Sequence, residues 1–196
     1  MTESTGGFPV AALVFALGLA SVHLVSGRVW HPDRERGRRW LSAAGGASVA
    51  YVFVLLLPEI SEVALLYGEA QNRPLLFEQV VYVFVLAGFV TFYVAEAVVA
   101  QNTGADVETA PLVFWTHIGV FATYSALVGY LLFHQEVAGL VNLFLYAVAM
   151  ALHFAVTDYG LVRHHGEAYE RVGRWVLAAA TVVGAGVRSF IRPVTQ

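Results

Sequence analysis

Long apolar runs constrain this chain more than any other feature. Six stretches, about 9–25, 40–57, 80–99, 111–133, 140–156 and 175–190, are predominantly apolar. A helix of about 20 residues crosses a hydrocarbon core of roughly 30 Å, and the first, fifth and sixth stretches sit at the short end of that length. Inside lipid the backbone must satisfy its own hydrogen bonds, which leaves helices or a closed barrel. A barrel strand alternates apolar and polar residues, and Val52-Phe53-Val54-Leu55-Leu56-Leu57 does not. Composition points the same way: of 196 residues, 58% are hydrophobic and 13% charged, with a mean hydropathy of +0.67. The expected fold is an all-α membrane protein, a bundle of about six transmembrane helices in one multi-pass domain.

Charge placement orients it. The loops after the first and fifth stretches hold Arg28, Arg34, Arg36, Arg38, Arg39, Arg163, Arg171 and Arg174, whereas the opposite face holds Arg73, Arg188 and Arg192. Positively charged loops stay in the cytoplasm, so both termini are expected outside and the membrane is expected to be the inner cell membrane. The stretch 58–79, with Glu59, Glu62, Glu69 and Glu78, reads as an acidic outer loop. The first apolar run lacks a basic segment before it and has one after it, so it reads as a retained helix rather than a signal peptide. Anchoring at the membrane accounts for the Arg cluster without nucleic acid. Cysteine is absent, which excludes disulfides and thiolate ligands.

Against this background, His23, Glu96, His117, His153 and Asp158 stand out as ionisable residues within apolar runs. Such groups cost a few kcal/mol in hydrocarbon and tend to mark ion paths, bound metals or buried hydrogen bonds. With the expected topology, all five fall in the cytoplasmic half of the layer. Helical spacing puts Asn142, Tyr146, His153 and Thr157 on one stripe of the fifth helix, with Asp158 turned away from it. His117 and Tyr124 share a face of the fourth helix, and Tyr93 and Glu96 share one of the third. Ala180 and Gly184, and the small residues of Ser42-Ala43-Ala44-Gly45-Gly46-Ala47-Ser48, predict close helix approach.

The segment Gly46 to Glu59, ending Leu-Leu-Leu-Pro-Glu, resembles the second helix of the ZIP-type metal permeases, which closes on a Leu-Pro-Glu signature. Leu86-Ala87-Gly88 through Glu96 is similar to that family's third helix. The run from His117 to Gly129 is similar to its fourth, and Ala149 to Asp158, around His153, to its fifth. The resemblance implies a ZIP-like helix arrangement with both termini outside. It also implies a His/carboxylate site for a divalent metal ion (Zn, Mn or Fe) drawn from His153, His117, Glu96, His23 and Asp158. The departures are Leu55, where the family often has His, and Phe154, Val156 and Thr157 in the fifth-helix motif. The family has eight helices and this chain has length for six, so a homodimer would complete the second repeat.

Three functions are therefore expected in turn: a metal-binding or metal-transporting membrane protein, a non-transporting scaffold or assembly protein with polar groups as interhelical hydrogen bonds, and a haem carrier using His117 and His153. No HExxH, no phosphate-binding Gly loop and no Ser/His/Asp set of stated geometry points to an enzyme. His164-His165 reads as part of a cytoplasmic connector.

Overall fold

The computed structural model describes residues 9–29, 35–70, 74–101, 110–134 and 139–187. Among these every element is helical: α1 (Pro9–Val29), α2 (Glu35–Tyr51), α3 (Leu57–Ala70), α4 (Pro74–Gln101), α5 (Ala110–Leu131), α6 (Leu140–His165) and α7 (Arg174–Gly186). Four stretches are long and apolar enough to cross a membrane: Pro9–Ser26, Arg39–Ala70, Pro111–Leu131 and Leu140–His165. The fourth helix contributes a shorter apolar stretch, Gln79–Ala95, and α7 has 13 residues. Each of the six apolar runs thus contains a helix, and four of them reach span length among the described residues.

Two boundaries differ from the sequence expectation. The acidic segment after Pro58 is not a loop: α2 and α3 run on through it to Ala70. Proline lacks an N–H and its ring crowds the carbonyl four residues back. Here the turn before it widens into a π-helical turn, Val52–Leu56, with the Leu57 N–H donating to the Val52 carbonyl. That local widening accommodates Pro58 without ending the helix. The fifth apolar run extends past 156 to His165, where Gly166 takes φ 50° and stops it. Only glycine adopts that conformation cheaply.

The bundle is built from α1, α5, α6 and α7, with α2 packing on α6, α3 on α4, and α4 on α5. In α1, Ala12, Ala16, Leu19, Ala20, His23 and Ser26 are buried, while Val10, Leu13, Val14 and Leu17 are exposed. Small residues point inward and large apolar ones outward, the arrangement expected when lipid replaces water outside. The α5–α7 crossing is closest. A Cβ on Gly129 would overlap the Thr181 carbonyl, and one on Gly184 would overlap the Ala126 carbonyl. The close approach expected at Gly184 is met there, whereas Gly45 and Gly46 face open space.

Two apolar layers fill the bundle. One contains Ala16, Leu19, Val128, Tyr146, Met150 and Phe154. The other contains Phe114, Ile118, Phe121, Leu161, Tyr169 and Leu177. In α6, Asp158 lies between Phe154 of the first layer and Leu161 of the second. In α5, Ser125 lies between Phe121 and Val128. A polar level is therefore sandwiched between two apolar ones.

Candidate functional site

The polar level consists of His23, Ser125 and Asp158, with Tyr169 closing it from the chain between α6 and α7. Helical spacing explains why each faces inward. His23 continues the buried stripe of α1. On α6 the buried positions are Leu143, Tyr146, Ala147, Ala149, Met150, Phe154, Ala155, Asp158 and Leu161, so Asp158 sits on the core stripe. Of the stripe expected from the sequence, Tyr146 is buried and Asn142, His153 and Thr157 are partly buried, while Asp158, expected to turn away from it, is 0% exposed. The apolar stripe through Phe154 and Leu161 is what fixes the buried face.

The level is one hydrogen-bonded line. His23 Nδ1–H donates to Asp158 Oδ1 at 2.9 Å, between side chains 1% and 0% exposed. The Tyr169 hydroxyl donates to the same oxygen at 2.6 Å. Oδ1 thus accepts both hydrogen bonds through its two lone pairs. With Nδ1 engaged, His23 Nε2 faces the Ser125 hydroxyl at 3.5 Å, and the ring packs on Phe154 with centroids 4.2 Å apart. Asp158 Oδ2 is buried and has no hydrogen-bond partner among the described residues. Burial pushes the Tyr169 phenol well above its ordinary range. The Asp158 carboxylate and the hydrogen bond to it add to the rise, and Arg174 pulls the other way.

A second level lies towards the C-terminal end of α6. His117 Nδ1 and His165 Nε2 are 2.9 Å apart, one nitrogen donating and the other accepting. Seven residues along α6 separate Asp158 from His165, and eight along α5 separate His117 from Ser125. At 1.5 Å per residue the two levels stand roughly 10–12 Å apart. His165 also packs edge-on against Phe114, with centroids 5.2 Å apart.

The five residues named from the sequence are thus distributed rather than gathered at one depth. His23 and Asp158 meet. His117 pairs with His165. His153 packs against the Tyr124 ring at 5.4 Å, and the Tyr124 hydroxyl donates to Met150 Sδ at 3.6 Å. The backbone of Glu96 lies in α4, and its side chain falls outside what is described. In place of the single centre expected around His117 and His153, His117 is hydrogen-bonded to His165 and His153 packs on Tyr124. Among the described residues, no three His, Asp or Glu side chains converge as metal ligands would. Tyr169 and His165 were missed because 163–171 reads as a charged connector. The signal was Gly166, which marks a helix end at His165, nine residues later than expected.

The class defined by these features is an all-helical protein with several helices long and apolar enough to span a membrane and a His–carboxylate–phenol line in its core. No family model, curated protein or solved structure matches the chain.

Proposed function

We propose that this chain is a multi-pass permease of ZIP-like descent in the inner cell membrane. In this reading it has six spans, α4 and α7 included, both termini outside, and a second copy completing the bundle. The Ser125–His23–Asp158–Tyr169 line takes up and releases a proton as a divalent cation, Zn²⁺, Mn²⁺ or Fe²⁺, moves as substrate. The carrying observation is the fully buried His23–Asp158 couple, because ionisable pairs in the interior of apolar bundles serve proton and ion paths. Moving a proton within an acid–base couple leaves its net charge unchanged, and taking one up or releasing it shifts that charge by one unit. Asp158 Oδ2, buried without a partner among the described residues, is the atom left to meet an incoming proton or cation.

The test is flux in liposomes containing the purified protein, read with a pH dye and a metal dye together. Wild type is expected to pass Mn²⁺ or Zn²⁺ saturably with proton counter-movement. Asp158→Asn and His23→Gln are expected to lose both. Absence of saturable, proton-linked flux in folded wild type removes the permease reading.

A second reading, a static scaffold, has its own supporting observation. The hydroxyls of Ser26, Ser48 and Thr181 donate to carbonyls of their own helices, and Gly129 and Gly184 lock α5 to α7 at backbone contact. On that reading Asp158→Asn changes stability alone and there is no flux to lose.

A further inference from the structure

A cavity of about 650 Å³ opens at the end of the molecule away from both histidine levels, where α5 ends and α6 begins. Asn142 lines it and lies sixteen residues before Asp158 on the same helix, roughly 24 Å at 1.5 Å per residue. The cavity is therefore separate from the His23–Asp158 line. Its volume falls within the range that holds drug-sized molecules, about 300–1,000 Å³.

Its walls are apolar and its charge has one sign. Val54, Leu55 and Leu56 of the π-helical turn line one side, with Leu131 and Leu145 opposite. Such π-helical turns are frequent at functional sites. Glu59 and Glu62, three residues apart and hence on one face of α3, supply the charge. Among the described residues the lining includes neither Arg nor Lys. His134 also borders it, and its Nδ1–H donates to the Tyr130 carbonyl at 2.9 Å with the two rings stacked at 3.8 Å. At the α2–α6 side stand Tyr51 and Tyr146, whose rings meet edge to face at 6.2 Å. Aromatic faces attract cations, and low-dielectric walls concentrate the field of the two carboxylates.

From these features we infer that the cavity is a binding site for a hydrophobic organic cation, with the positive centre at Glu59 and Glu62 and the apolar body against Leu55, Leu145 and the two tyrosines. The site is independent of metal or proton flux and stands or falls without it.

The probe is tetraphenylphosphonium, with tetraphenylborate as the anion of equal shape. Binding is measured by equilibrium dialysis of the purified full chain in detergent, with empty micelles subtracted. Wild type is expected to bind the phosphonium saturably and the borate at least tenfold more weakly, since like charges repel across an apolar site. Glu59→Gln/Glu62→Gln is expected to weaken phosphonium binding tenfold or more with unchanged thermal unfolding. Asn142→Arg, which places a positive charge at the wall without touching either carboxylate, is expected to do the same. Equal binding of both ions, or phosphonium binding that survives both variants, overturns the assignment and leaves only partitioning into an apolar crevice.

Discussion

Two buried pairs share a distance and little else. His23 meets Asp158 and His117 meets His165, each at 2.9 Å. The first joins an acid to a base and is enclosed between the two apolar layers, both side chains 1% exposed or less. The second joins two bases at the end of α6, where Arg163 and His164 are exposed and His165 is only partly buried, while His117 is 1% exposed. Removing one partner of a buried acid–base pair strands the other in the apolar interior, whereas removing one of two imidazoles takes away a hydrogen bond.

The largest expected effect comes from breaking the first pair. Asp158→Ala leaves an imidazole and a phenol in the core without their shared acceptor. Loss of one partner from a buried ion pair costs about 3–5 kcal/mol. The variant is expected to show the steepest fall in thermal stability in detergent. Combined with His23→Ala, the two losses are expected to be non-additive by about 1–3 kcal/mol. Additive losses would mean the two side chains contribute separately, and the contrast between the pairs would disappear.

How much of this contrast was readable beforehand depends on the element. The cores of α1, α5 and α6 follow from predominantly apolar runs, which leave no other structure in lipid. The path through Pro58 did not, because a proline followed by glutamates reads as a stop, and the π-helical turn that absorbs it has no local signature in Val52–Leu56. The residues of the first pair could be named from the cost of placing them in hydrocarbon. Their pairing could not, since His23 and Asp158 are 135 positions apart and helical phase alone does not say which helices touch. His165 was hidden by its neighbours: Arg163, His164 and Glu167 give the end of α6 the composition of a loop.

Tyr169→Phe comes next. It removes one hydrogen bond to a carboxylate, expected to cost about 1.5–3 kcal/mol while leaving the His23 contact in place. It also changes the alkaline limb. The phenol is raised in the folded protein, so the folded state holds this proton more tightly than the unfolded chain. That stabilisation is complete below the ordinary phenol value of about 10 and is lost as the pH climbs above it. Wild type is expected to lose stability faster than Tyr169→Phe above pH ~10. Parallel curves would detach the phenol from Asp158.

On the second pair, His165→Ala removes the hydrogen bond to His117, a loss of about 1 kcal/mol. The expected stability change is well below that of Asp158→Ala. A change as large as Asp158→Ala would make the two pairs equivalent despite their different chemistry.

The smallest stability effect is expected at Ser125, and it divides the permease from the scaffold most sharply. Its oxygen stands 3.5 Å from His23 Nε2, at the outer limit of a hydrogen bond, so Ser125→Ala is expected to cost under about 0.5–1 kcal/mol. A scaffold is indifferent to so small a change. A proton line is not, because the serine hydroxyl is what His23 Nε2 faces once Nδ1 is committed to Asp158. Ser125→Ala is therefore expected to unfold with wild type yet to slow proton-linked flux severalfold. Cysteine at that position, whose thiol can also exchange a proton, is expected to restore part of the rate. Unchanged flux in a folded Ser125→Ala would end the line at His23 and confine its chemistry to the couple with Asp158.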